Sequence, residues 1–138
     1  MKLTVIGLGQ CGCRIADHFA RLNLKARAER KASIAPIVIA VNTDQADLTG
    51  LNFIKKDYMH RVLLGLRQTL GHGVGKINEL GAQLAKEDGD KVLEAVKLSP
   101  QFYETHAFLL VAGAAGGTGS GALPIVGKAV KDRYISKP

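Results

Sequence analysis

The sequence lacks tryptophan, and its seven other aromatic residues, three tyrosines and four phenylalanines, are dispersed along 138 positions. Single-stranded nucleic acids are bound in large part by stacking their bases on clustered aromatic side chains. A stacking platform is therefore not predicted, and nucleic acid is not expected as a partner. Hydrophobic residues nevertheless make up 46% of the chain. A core of valine, isoleucine, leucine and alanine is typical of one α/β domain of this length.

Cysteine is scarce as well. Cys11 and Cys13 are too close in sequence to form an easy disulfide, so reduced thiols and a reducing compartment are expected. A Cys-x-Cys pair could be half of a metal site, but the sequence has no second pair and its four histidines do not form a ligand pattern. No apolar run is long enough to span a membrane, and residues 1–10 carry no signal-peptide cleavage site. These absences predict a cytoplasmic protein without a membrane segment.

Acidic residues are outnumbered, with 12 Asp and Glu against 19 Lys and Arg, which gives a net charge of +7. A high isoelectric point can indicate a nucleic-acid partner, but no aromatic residue accompanies the main basic cluster. That cluster, with Glu29 as its one acidic residue, contains Arg21, Lys25, Arg27, Arg30 and Lys31. We interpret it as a solvated connection between the first helix and the second strand. A surface for an acidic partner, in another molecule or in the same polypeptide, is the alternative.

Short apolar runs alternate with amphipathic stretches along the chain. They predict strands over 2–7, 36–41, 61–66 and 107–112, with a short edge strand around Phe53-Ile54. They predict helices near 10–22, 76–98 and 121–134, with a break in the second at Asp88-Gly89-Asp90. Because the strand runs lack strict alternation, the strands are expected to be buried on both faces, as in a parallel sheet. The predicted fold is α/β, with an open, mainly parallel, Rossmann-like sheet flanked by helices.

Small residues fill positions 112–121, which connect the last predicted strand to the helix after it. Glycines permit positive φ, and exposed amides at a helix N-terminus hold phosphate. Thr118 and Ser120 add hydroxyl donors to this cradle. No lysine follows the last glycine, so the loop is not the common lysine-containing phosphate loop. A turn that only permits close packing is the less favoured reading, because five glycines and two hydroxyls follow one strand.

A second glycine turn, residues 7–12, reads Gly-x-Gly-x-x-Gly directly after a predicted strand. This is the setting of the dinucleotide-binding fingerprint, so an NAD(P)-binding Rossmann domain of an oxidoreductase is an alternative function. That fold usually places an acidic residue for the ribose at the end of the second strand, whereas this strand ends in Asn42-Thr43-Asp44. The alternative also leaves the glycine loops at 71–75 and 113–121 without a role.

Four motifs in this chain resemble those of the tubulin/FtsZ superfamily, in the same order and at similar spacing. Gly9-Gln10-Cys11-Gly12 is similar to the first phosphate loop of tubulin. Residues 112–124 resemble the signature Gly-Gly-Gly-Thr-Gly-[Ser/Thr]-Gly, and residues 42–48 resemble the Asn-Thr-Asp segment of FtsZ. Residues 63–75 resemble the third FtsZ loop, which approaches the terminal phosphate. The resemblance is strongest to prokaryotic tubulin-like members and extends over nearly the whole chain.

The resemblance implies binding of GTP or GDP with Mg²⁺ and self-association into filaments, with GTP hydrolysis in the full-length polymer. It implies that residues 1–138 are the amino-terminal part of a GTP-binding domain, whose remainder and carboxy-terminal domain follow. No catalytic residue is assigned, because the loop that attacks the nucleotide of the next subunit lies in that remainder, and the chain alone is expected to be inactive. The implied nucleotide-binding residues are Gly9, Gln10, Cys11, Gly12, Asn42, Asp44, Gly71, His72, Gly73, Gly75, Ala115, Gly116, Gly117, Thr118, Gly119 and Ser120.

Gln10 and Asp44 are also implied to face the metal ion. The alternatives are a water-facing side chain at the helix start for Gln10 and an Asx-turn residue for Asp44. Three residues depart from the superfamily pattern. Ala115 replaces the first glycine of the signature, Cys13 replaces an asparagine of the first loop, and Lys128 lies about where FtsZ has a glutamate that contacts the ribose.

Overall fold

The computed structural model describes residues 1–135 and has a four-stranded sheet at its centre. The strands are β1 (Leu3–Leu8), β2 (Ile37–Asn42), β3 (Arg61–Leu63) and β4 (Ala107–Ala112). Their order is β3-β2-β1-β4, and each neighbouring pair is parallel. In this register Val5 lies opposite Val38 on one side and Leu109 on the other. The prediction of an α/β fold with an open parallel sheet is therefore confirmed.

Residues 1–135 contain five α-helices: α1 (Gly9–Arg30), α2 (Gln45–Thr49), α3 (Leu66–Thr69), α4 (Asn78–Leu98) and α5 (Thr118–Val130). The first four lie between strands, and α5 follows β4. A 3₁₀ turn at Phe102–Glu104 precedes β4, and a π-helical turn at Lys131–Ile135 follows α5. Across residues 1–135, none of the helices combines the length and the apolar character needed to span a bilayer.

Each face of the sheet is covered by a separate apolar cluster. On one face, Cys13, Ala16 and Ala20 of α1 pack against Val5 and Val38. The opposite face carries α4 and α5 over a larger cluster that includes Ile6, Leu8, Ile39, Val92 and Val126. The central strands β1 and β2 are almost wholly buried, as predicted, whereas every residue of β4 is partly exposed. The expectation of burial on both faces is wrong for β4 because this strand forms an edge of the sheet.

Three sequence-based predictions of local structure are wrong. Phe53-Ile54 is not a strand, because its backbone amides are bound by the carboxylate of Asp17 and not by a neighbouring strand. The first helix continues to Arg30, so most of the basic cluster is helical and exposed and is not a connection. The helix ends where Lys31 takes a left-handed conformation with φ of 52°. The break predicted at 88–90 is also absent, because α4 continues through these residues to Leu98. The side chain of Asp88 accepts a hydrogen bond from the Gly65 amide at 2.7 Å.

Candidate functional site

The helices α1, α2 and α5 all begin at the carboxyl edge of the sheet, where β1, β2 and β4 end. Ligands of open α/β sheets bind at this edge. α1 and α5 share a further property, because neither has a side chain that caps its N-terminus and neither has an acidic residue in its first turn. The free amides and the positive end of the helix dipole of both helices are therefore available to an anion.

The two helix starts are in backbone contact with each other. Gly9 has a φ of 74°, and a Cβ atom at this position would lie 2.8 Å from the backbone nitrogen of Gly119. There is also no room for a side chain at Gly119, because a Cβ atom there would lie 2.6 Å from the carbonyl oxygen of Leu8. Glycine at both positions thus brings two uncapped helix starts together into one site.

A third loop, residues 70–76, packs against the same region. Five of its residues have positive φ: Leu70, Gly71, Gly73, Gly75 and Lys76. The loop is fixed to the end of β2 by two backbone hydrogen bonds, from the Gln45 amide to the Gly71 carbonyl (2.8 Å) and from the Gly73 amide to the Thr43 carbonyl (3.1 Å). Between them, Asp44 and His72 form an isolated antiparallel bridge. His72 is exposed in this loop and lies beside Asp44, which follows the carboxyl end of β2.

The 70–76 loop also contacts the start of α5. A Cβ atom at Gly117 would lie 2.6 Å from Cγ2 of Val74 and 2.8 Å from Cα of Lys76. The three predicted glycine loops therefore meet at one edge of the sheet, and Ala115 and Gly116 are exposed at the tip of the last one.

Two of the predicted hydroxyl donors are bound within the protein. Thr118 is buried, and its hydroxyl shares a hydrogen bond of 2.6 Å with the hydroxyl of Thr43. The hydroxyl of Ser120 donates to the carbonyl of Gly116 in the preceding turn. In this arrangement the backbone amides, more than the hydroxyls, are the groups that the helix start offers to an anion.

Asp47 links three of the predicted site residues, although sequence reasoning did not select it. Its carboxylate accepts hydrogen bonds from the side-chain amides of Gln10 and Asn42, each at 3.3 Å. Its backbone amide donates to Asp44 at 3.1 Å, which makes Asp44 the N-cap of α2. The signal in the sequence was an acidic residue three positions after a capping residue, but α2 itself was not predicted.

The same group of side chains supplies oxygen atoms of the type that Mg²⁺ prefers. Gln10 and Asp44 both contact Asp47, so these three side chains lie close together. Asp44 also serves as a helix cap, which agrees with the alternative predicted for it. Among the residues that the structure describes, no group of three or more His, Cys, Asp or Glu could hold a metal ion. These residues therefore fit an ion held partly by phosphate oxygens and water, and not an ion held by protein ligands alone.

The cysteine that replaces the superfamily asparagine is part of the core. The thiol of Cys13 contacts the carbonyls of Gly7 (3.5 Å) and Val41 (3.3 Å), and its burial raises the pKa of the thiol to about 12. Cys13 is therefore neutral and joins β1 to β2 beneath the site. Cys11 is exposed, and both cysteines are free thiols.

A parallel sheet that brings uncapped, glycine-rich helix starts together at its carboxyl edge is the arrangement typical of phosphate-binding α/β domains. The family description "Tubulin/FtsZ family, GTPase domain" matches residues 2–138. The chain therefore belongs to the tubulin/FtsZ family, as its motifs indicated.

Relatives and solved structures agree with this assignment. The chain is 46% identical over 134 residues to the tubulin-like protein CetZ1 of Haloferax volcanii, an alignment that covers 97% of this chain and 32% of CetZ1. The structure of the GDP-bound CetZ1 monomer superimposes with a TM-score of 0.87 over 97% of this chain and 38% of that one. CetZ2 from Haloferax volcanii, in a GTPγS-bound protofilament, is 33% identical with a TM-score of 0.85, covering 98% of this chain and 37% of CetZ2. The chain spans about a third of the length of the curated relatives that it matches.

Proposed function

We propose that this chain binds the phosphates of GTP and GDP at the carboxyl edge of its sheet. The observation that carries the proposal is the backbone contact between the starts of α1 and α5, both of which lack a capping side chain and an acidic residue. The relatives support a guanine nucleotide, because CetZ1 has been solved with GDP and CetZ2 with GTPγS.

Three loops would surround the phosphates in this proposal. Residues 9–12 and 115–120 present the amides of the two helix starts, and residues 71–75 close the site from the side of β2. Mg²⁺, when bound, would neutralise phosphate charge, and Gln10, Asp44 and Asp47 would hold it, directly or through water.

We further propose that residues 1–138 form the amino-terminal part of the GTP-binding domain of a cytoplasmic, filament-forming protein. CetZ2 was solved as a protofilament, which supports self-association. We assign no catalytic residue to this chain. In this superfamily the attacking water is positioned by a loop of the neighbouring subunit, so the isolated chain is expected to hydrolyse GTP no faster than background.

Competition between GTP and NAD tests the proposal against the oxidoreductase alternative. We expect unlabelled GTP and GDP, but not NAD, to displace a fluorescent GTP analogue from the chain in the presence of Mg²⁺. Displacement by NAD and not by GTP would establish the alternative function.

A matched pair of glycine variants locates the site in the same assay. A Cβ atom at Gly116 meets no atom within 4 Å, and the same is true of Gly89 in α4. Gly116→Val therefore leaves the fold intact but occupies space beside the α5 amides, and we expect it to weaken GTP binding at least about tenfold, or ~1.4 kcal/mol. Gly89→Val should bind like the parent. Equal affinities for both variants would contradict the placement of the phosphates at α5.

A further inference from the structure

The segment from Leu48 to Ile54 has little regular structure of its own, yet its backbone is extensively hydrogen-bonded. It begins at the end of α2 and leads toward β3. Two charged side chains from different elements supply most of these bonds. Arg61 of β3 binds carbonyl groups of the segment, and Asp17 of α1 binds its amides.

Arg61 accounts for the carbonyl side. Its guanidinium donates to the carbonyls of Leu48 (2.8 Å), Leu51 (2.9 Å) and Ile54 (2.6 Å), with a longer contact to Thr49 (3.4 Å). A planar cation with several donors is suited to hold carbonyl groups that point in different directions. Two of these carbonyls close the last turn of α2, where a positive charge also complements the helix dipole.

Asp17 accounts for the amide side. Its carboxylate is buried and accepts hydrogen bonds from Asn52 (3.0 Å), Phe53 (2.8 Å) and Ile54 (2.9 Å). A carboxylate in this position satisfies three amides that no strand or helix pairs. The same backbone is thus held by an anion on its donors and by a cation on its acceptors.

The position of α2 depends on this arrangement. A helix of five residues is too short to be stable on its own. Asp44 caps its N-terminus and Asp47 lies in its first turn, and its last turn is bound by Arg61. Movement at the far end of so short a helix would therefore move both carboxylates.

We propose that Arg61 and Asp17 are positioning residues that clamp the 48–54 segment and so fix α2 in the orientation required for Mg²⁺-dependent nucleotide binding. This inference rests on the proposed function. The starts of α1 and α5 meet through the backbone contact between Gly9 and Gly119, in which α2 takes no part. The clamp should therefore affect the Mg²⁺-dependent part of the affinity and leave the remainder unchanged.

The test compares GTP affinity in Mg²⁺ with GTP affinity in excess EDTA. Arg61→Gln is expected to lower the affinity in Mg²⁺ about tenfold, as loss of groups that orient metal-facing side chains commonly does, while the affinity in EDTA stays within about twofold. Asp17→Asn should give the same pattern. Because both residues hold one segment, the double variant should lose less than the sum of the single effects. Lys56→Gln, an exposed charge change in the same connection, is the matched control and should have no effect.

Equal losses in Mg²⁺ and EDTA, or no loss, would overturn the inference while leaving the proposed function intact. Absence of GTP binding by the parent chain in both conditions would instead overturn the proposed function, and the inference with it. Hydrogen exchange on the parent chain gives an answer even if the variants do not fold. The amides of Asn52, Phe53 and Ile54 should exchange more slowly with GTP and Mg²⁺ than with GTP and EDTA, and unchanged exchange would also contradict the clamp.

Discussion

Two threonine hydroxyls join the end of β2 to the start of α5. Thr43 and Thr118 are separated by 75 positions in sequence and are both buried, and their hydroxyls lie 2.6 Å apart. A buried hydroxyl that loses its partner retains the cost of its desolvation. This pair therefore stabilises the contact between two of the loops that form the candidate site.

Thr43→Val should lower the free energy of unfolding by about 1–3 kcal/mol, because the hydroxyl of Thr118 is left buried without its partner. Thr118→Val should have a similar effect. With both threonines replaced, no unpaired hydroxyl remains, so the double variant should be more stable than the sum of the single losses predicts. Denaturant unfolding of the three variants measures these values, and strictly additive losses would show that the two hydroxyls do not depend on each other.

Residues of this kind explain what the sequence could and could not reveal about the site. The glycine loops were predictable, because a local motif after a strand defines a helix start with free amides. Thr43 and Asp47 were not predictable as site residues, because their roles come from partners brought close by the fold. Asp47, for example, binds Gln10 from another element.

At the scale of elements, α4 and α5 are in backbone contact near their first turns. A Cβ atom at Gly81 of α4 would lie 2.4 Å from the carbonyl oxygen of Gly117, and one at Gly121 of α5 would lie 2.1 Å from the carbonyl oxygen of Asn78. The 70–76 loop leads directly into α4, so this contact joins that loop to the start of α5, where we propose that the phosphates bind. The two helices are therefore part of the structure that holds the site together.

Gly121→Ala should destabilise the protein, because its methyl group must push two helix backbones apart. We expect a loss of about 1–3 kcal/mol in the free energy of unfolding, as for overpacking of a filled interior. Gly127 in the same helix is the matched control, since its Cβ would lie 3.7 Å from Cδ2 of Leu110, an ordinary contact. Gly127→Ala should be neutral or stabilising by up to about 1 kcal/mol. Thermal and denaturant unfolding would disprove the close contact if Gly121→Ala were as stable as Gly127→Ala.

The helices and strands differed in how well they could be predicted from the sequence. The central strands β1 and β2 and the helix α4 follow apolar patterns that burial confirms. The length of α1 was underestimated because its last two turns are almost entirely exposed and basic, so they lack the apolar stripe that identifies a helix. α2 has one buried residue, Leu48, and its existence depends on Asp44, Arg61 and the segment that they hold.

At the scale of the whole molecule, charge and apolar surface are unevenly distributed. Residues 1–76 contain twelve Lys and Arg against five acidic residues, whereas residues 77–138 contain seven of each. The excess charge of +7 therefore belongs to the half of the chain that includes α1 and β3. β3 forms one edge of the sheet, and the apolar strand β4 forms the other. β4 is partly exposed along its whole length. An edge of this kind favours irregular pairing with other chains.

This distribution predicts how the 138-residue chain associates. An open filament requires two different complementary faces on each subunit. Our proposal assigns to this chain the nucleotide-binding face, and places the complementary face in the part of the relatives that the chain does not match. We therefore expect the chain to associate irregularly through the β4 edge, which light scattering would detect as a signal that rises with protein concentration. The scattering should be the same with GTP and Mg²⁺ as without them. The Gly116→Val variant should scatter as much light as the parent chain. Negative-stain microscopy should show no ordered filaments. Regular filaments that require GTP and are lost in Gly116→Val would demonstrate that both faces lie within these residues, and the assignment of the chain as one part of a larger GTP-binding domain would be wrong.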